Sequence, residues 1–146
     1  MDIPPSQENG GFGADRGGTN GRSEGPSVLV AERNQSTRQL MWRALRPTYE
    51  PQLAATYEDV RRHVQEQSFD AVVMSLYPFD VDEGIQVVED VRAKAAHAEC
   101  PIIAVCHPSV EAESESLRQA GFDDVVRMPF GQSELLAVLD RHLGAA

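Results

Sequence analysis

Five residues end or closely follow short apolar runs, and their side chains decide what chemistry the chain can carry: Glu32, Arg33, Ser75, Cys106 and Met128. Glu32 is a carboxylate beside a guanidinium that stays charged at every accessible pH; either the two close into a built-in ion pair that locks one conformation, or Arg33 points to solvent. Ser75 is a nucleophile only if a base stands next to it, and the sequence places none there. Cys106 and His107 are ligand types without a second pair at metal-site spacing, so Cys106 reads as a small buried residue at a strand end. Asp80, Asp82 and Glu83 suit a solvated loop and the positive end of a following helix better than a metal centre. Met128 has no proton to donate. The chain holds 12 arginines and one lysine, Lys94, so chemistry needing a lysine elsewhere is excluded.

The rest of the composition narrows the partners. The 146 residues carry a net charge of −10, which argues against nucleic acid and anionic membrane as ligands. Two cysteines six residues apart read as reduced thiols in a cytoplasmic protein rather than a disulfide framework. The N-terminus lacks the basic and apolar regions of a signal peptide, and no apolar run approaches a membrane span. Residues 1–26 hold seven of the 11 glycines and three prolines with few apolar side chains; they are expected to be a disordered tail, leaving 27–146 as one domain.

Within that domain strand and helix signals alternate. Apolar, β-branched runs at 27–31, 70–75 and 101–106 suit strands buried on both faces, with weaker strands at 52–55 and 124–127. Helical spacing links Leu40, Met41, Ala44 and Leu45 after a capping Asn34, with Trp42 at the core rim or as a partner anchor. Further stripes run through Tyr57, Val60 and Val64; Ile85, Val88, Val91 and Ala95; residues 110–120; and Leu135, Leu136, Leu139 and Leu143. Five strands alternating with five helices predict an α/β doubly wound parallel sheet, flavodoxin-like, in the order 2-1-3-4-5. Such sheets carry their sites beyond the carboxyl ends of the strands, where the five residues lie.

In those pieces the chain resembles the CheY-like receiver domain of two-component response regulators, over nearly all of residues 27–143. Residues 28–40 resemble the family's first strand, acidic pair and first helix. Residues 70–78 resemble the strand ending in the phospho-accepting aspartate, 101–106 the fourth strand, and 120–124 with 127–130 the fifth strand and its Lys-Pro-Phe turn. The resemblance implies a pocket in which two acids and the acceptor aspartate hold Mg²⁺ while a Thr or Ser and a Lys grip the phosphoryl oxygens. Onto that pocket the chain maps Glu32 and Arg33 for the acidic pair, Ser75 for the acceptor, Cys106 for the Thr or Ser and Met128 for the Lys. Val125 falls at the aromatic switch position. The loop departs too, with Pro78 three and Gly84 nine residues after Ser75 where the family has four and eight.

These departures turn the expectation toward a pseudo-receiver. One carboxylate beside one guanidinium leaves the pocket about neutral, so a divalent cation is not expected, nor any other cofactor or metal. No enzymatic activity is expected either. The runner-up is a phospho-acceptor of altered chemistry using Ser75 or an acid of the 80–83 loop; Ser75 as target of a serine kinase is disfavoured, because the flanking apolar run would bury it, and it reads as a neutral pocket filler. A nucleotide-binding module is disfavoured because Glu32, Arg33 and Asn34 stand where a glycine-rich phosphate loop belongs. The family's partner face maps to Glu111, Glu115, Arg118 and Arg127, with Glu113 in the same acidic run. Expected partners are proteins of a signalling pathway, a kinase or another regulator, or a second copy of the chain. No output domain is expected after the last helix.

Overall fold

The computed structural model describes residues 25–144; the expected tail lies outside them apart from Gly25 and Pro26. Five strands, β1 (Ser27–Ala31), β2 (Glu50–Ala54), β3 (Ala71–Leu76), β4 (Ile102–Cys106) and β5 (Asp124–Arg127), alternate with α1 (Gln35–Leu45), α2 (Tyr57–Glu66), α3 (Val81–Ala93), α4 (Ser114–Ala120) and α5 (Gln132–Leu143). The strands form one sheet in the order β2-β1-β3-β4-β5, every pair parallel. The flavodoxin-like topology is the one the pattern predicts.

Burial on both faces explains why the central strands read as unbroken apolar runs: all six residues of β3 and all five of β4 are buried. Successive side chains point to opposite faces of the sheet. Leu29, Val72, Met74, Ile102 and Ala104 therefore pack with Val60, Val88 and Leu117 of α2, α3 and α4. Val28, Val30, Val73, Ile103 and Val105 pack with Met41, Trp42 and Leu45 of α1 and Leu135 and Leu139 of α5. Trp42 belongs to that second layer and is buried.

Several boundaries differ from the sequence reading. β2 begins at Glu50, whose N–H bonds to the Pro26 carbonyl at 2.9 Å, so backbone pairing recruits two residues that propensity does not. The stripe of α3 is Gly84, Val87, Val88 and Val91; Ala95 lies beyond it in a 3-10 turn, Ala95–His97. α4 starts at Ser114 rather than near 110. The Arg127 guanidinium takes the carbonyls of Val110 (3.2 Å) and Ala112 (2.6 Å), acceptors that a first helical turn would need. Among the described residues no helix is long and apolar enough to cross a membrane.

Candidate functional site

The pairing of Ala31 with Met74 sets the next residues, Glu32 and Ser75, side by side at the carboxyl end of the sheet. Ser75 Oγ donates to Glu32 Oε1 at 2.5 Å. The other oxygen, Oε2, accepts from Tyr77 Oη at 2.6 Å and from the Asn34 N–H at 2.8 Å. Glu32 is only 1% exposed, and a carboxylate that deep is tolerable because donors replace its water. Asn34 has a second task, its side chain capping α1 through the Thr37 N–H at 2.9 Å.

The loop after β3 folds back on itself. Asp80 N–H donates to the Tyr77 carbonyl at 3.0 Å while Asp80 Oδ1 accepts from the Tyr77 N–H at 2.7 Å, with Pro78 at the turn position that its fixed φ suits. This reciprocal closure buries Asp80, which is 5% exposed, and aims Tyr77 at Glu32. Tyr57, the first residue of α2, donates its hydroxyl to the Ser75 carbonyl at 2.7 Å. Gly84 lets α3 approach that close: a Cβ there would stand 2.5 Å from Leu76 Cδ2 and 3.2 Å from the Tyr57 hydroxyl. Both phenols are held well above their ordinary pKa. For Tyr77 burial leads, then its bond to Glu32; for Tyr57 burial leads, then the charge of Asp80. Both therefore act as donors.

Three readings from sequence change here. Arg33 does not pair with Glu32, whose oxygens are already taken; its Nη2 lies 3.3 Å from Asp80 Oδ2. The guanidinium is half exposed and rests 4.8 Å from the centre of the Phe79 ring, with Tyr77 stacked behind Phe79 and His107 behind Tyr77. Ser75 does have a base beside it, Glu32. Asp80, read from sequence as a solvated loop charge, is instead a buried wall of the cleft.

The cleft is lined by Ala31, Glu32, Arg33, Ala55, Thr56, Tyr57, Ser75, Tyr77 and Asp80. Of the five pocket positions read from sequence, Glu32, Arg33 and Ser75 meet there. Cys106 is fully buried in the sheet, its thiol pushed up by burial against a smaller opposing effect of Arg127. Met128 packs half-buried on the α1/α5 core layer. Neither lines the cleft. Among the described residues no cluster of three or more His, Cys, Asp or Glu is placed to hold a metal ion.

On β5, Val125 packs partly buried on the α2/α3/α4 layer. Glu111, Glu115 and Arg118 are exposed, whereas Arg127 is half-buried and committed to the carbonyls before α4. Glu115 lies on α4, but Glu111 precedes the helix and Glu113 is only its cap residue. Tyr57 and Tyr77 escape sequence reasoning as site residues, and Asp80 enters it only as one acid of the 80–83 loop. The available signal is a hydroxyl-bearing aromatic and an acid within four residues of the β3 end.

Known proteins match this scaffold. Residues 28–140 match the response regulator receiver domain family. The receiver domain of the sensor histidine kinase PA1611 from Pseudomonas aeruginosa, solved with a magnesium ion coordinated in its active-site cleft, is 29% identical, with a TM-score of 0.68 over 82% of this chain and 98% of that one. The chemotaxis response regulator CheY4 of Vibrio cholerae shares the fold, at 24% identity and a TM-score of 0.71 over 82% of this chain and 99% of that one. The sensor protein GacS of Pseudomonas syringae pv. syringae is 33% identical over 86 residues, 57% of this chain but only 9% of the length of GacS. With strand order and a family match over most of its length in agreement, the chain belongs to the response regulator receiver domain family.

Proposed function

We propose that this receiver domain is a pseudo-receiver, a phosphorylation-independent protein-interaction module of a two-component signalling pathway. One observation carries the reading: both oxygens of Glu32 are closed off by Ser75, Tyr77 and Asn34. Magnesium asks for near-octahedral oxygens, usually one or two open carboxylates with water and phosphate. The second carboxylate of the cleft, Asp80, faces the Arg33 guanidinium. These side chains as arranged do not fit the ion. Cys106 and Met128 are not among the residues lining the cleft, and neither supplies a grip for phosphoryl oxygens. The conformation is set by internal donors, and the protein partner, a kinase, another regulator or a second copy, meets a fixed surface at the exposed Glu111, Glu115 and Arg118, where Arg127 holds the segment before α4; that surface needs no cofactor and does no catalysis.

The test is exposure of the full chain to acetyl phosphate, or to beryllofluoride, with Mg²⁺. The expected result is no phosphoryl group by mass spectrometry and unchanged amide shifts at residues 31–34 and 74–80. A specific Mg²⁺-dependent shift there overturns the reading.

A second reading has one observation in its favour. Ser75 Oγ already points its proton at Glu32, the geometry in which a carboxylate accepts the proton while the oxygen attacks phosphorus and the donor's leaving group departs. Acid-stable phosphoserine at Ser75 in the same experiment, abolished by Ser75→Ala, selects it over the first.

A further inference from the structure

The longest acid-free run of the chain is residues 33–49, between Glu32 and Glu50, and it holds four arginines. Two are spent locally: Arg33 faces Asp80, and Arg38 donates to the carbonyls of Glu32 (2.8 Å) and Arg33 (3.4 Å). The other two, Arg43 and Arg46, meet no carboxylate among the described residues; Arg46 lies 5.7 Å over the Trp42 ring. Arg43 is spaced i, i+3 from Leu40, and Arg46 three residues further, so the three stand in line along α1. Met41, Trp42, Ala44 and Leu45 bury the opposite side. Leu40 is 54% exposed, one of only two large apolar side chains so exposed among the described residues. A molecule of net charge −10 thus presents one helix with an apolar centre and unneutralised positive charge.

The place where the remaining chain joins the fold is next to this helix. Gly25 lies so tightly on the loop after α1 that a Cβ would stand 1.9 Å from the Thr48 carbonyl oxygen. Thr48 is two residues past Arg46. Upstream of Gly25, residues 16–24 are nine residues with three glycines, and residues 1–15 carry Asp2, Glu8 and Asp15, no basic side chain, and the apolar Ile3 and Phe12. Nine residues reach at most ~30 Å along the chain. The helix from Arg46 back to Leu40 rises only ~9 Å.

We propose that the outward face of α1 is a docking site for the chain's own residues 1–15, whose carboxylates meet Arg43 and Arg46 and whose Phe12 covers Leu40. Tethering supplies an effective concentration of order mM, enough to hold a contact too weak to form between separate molecules. A nucleic acid or anionic bilayer would meet the same arginines but brings far more negative charge against the net charge of the molecule and has no tether to offset that repulsion. The proposal goes beyond the reading of the cleft and holds whether or not Ser75 accepts a phosphoryl group.

The test uses the full chain, ¹⁵N-labelled, with a nitroxide on Ser6→Cys. Cys100 and Cys106 are buried, and burial lifts the Cys100 thiol to about 11, so the new thiol takes the label. Paramagnetic broadening is expected to concentrate on residues 36–46. Arg43→Glu with Arg46→Glu should remove most of it while sheet shifts stay in place, and adding Glu8→Arg and Asp15→Arg should restore it. Broadening spread evenly, centred on another face, or indifferent to the charge reversals overturns the proposal. So does α1 broadening in a mixture of nitroxide-bearing unlabelled chains with nitroxide-free ¹⁵N chains, which assigns the face to a second copy.

Discussion

Glu32 is a charge that folding removes from water, and the donors around it set what that costs. Tyr77→Phe deletes one and leaves the carboxylate oxygen with the Asn34 N–H alone. Losing a hydrogen bond to a buried charged group costs roughly 1–3 kcal/mol, so urea unfolding of Tyr77→Phe should show a loss of that size. Arg33→Ala should change stability by less than ~1 kcal/mol, because its guanidinium is half exposed and such pairs contribute little; Asp80 keeps its bond to the Tyr77 N–H. A larger loss for Arg33→Ala than for Tyr77→Phe would refute this ordering. Glu32 and Ser75 were legible as site residues because each ends an apolar strand run. Tyr77 and Asp80 were not, because their roles exist only once residues 77–80 close into a turn, and a local pattern of charge reads such an acid as solvated.

Helices and strands were more legible than the site, for a physical reason. β1, α1 and β5 carry their boundaries in local chemistry: an apolar β-branched run, the Asn34 cap, a pair of valines between Asp124 and Arg127. The beginning of α4 is written elsewhere, in Arg127, a residue of the following strand whose guanidinium holds the carbonyls of Val110 and Ala112. Arg127→Gln is expected to raise amide exchange across residues 110–117 by about an order of magnitude, as loss of a charged donor worth roughly 1.5 kcal/mol implies, while exchange in α1 is unchanged. Unaltered protection there would mean that the loop is held by something else.

Across the whole molecule, two buried titrating groups govern acid stability in separate windows. His97 is fully buried and its Nε2 accepts from the Phe69 N–H at 3.1 Å, so the folded ring is neutral; burial first, then Lys94, lowers its pKa below 6.5. The unfolded chain binds the proton first as pH falls, so the contribution of neutral His97 is full above about pH 6.5 and drains away below it. His63, also lowered by burial and Arg62, adds to the same window. Asp124 is the opposite case. Burial works against its charge, but bonds from Arg141, His142, the Val125 N–H and Arg118 outweigh it and pull the carboxyl well below the usual range. Its contribution is present above the ordinary carboxylate value and is lost only as pH falls from about 4 toward the folded value. Melting temperature should therefore drop in two stages on acidification. His97→Gln should shrink the first and spare the second; an unchanged first stage would assign it to other groups.

Trp42 is the chain's single tryptophan, on the buried face of α1, with no hydrogen-bond partner on its indole nitrogen among the described residues and a guanidinium over its ring. The protein thereby has an intrinsic fluorophore at the root of its arginine-bearing helix. Whatever settles on or leaves that helix shifts the electric field at the indole, and its emission colour reports the event without any added dye.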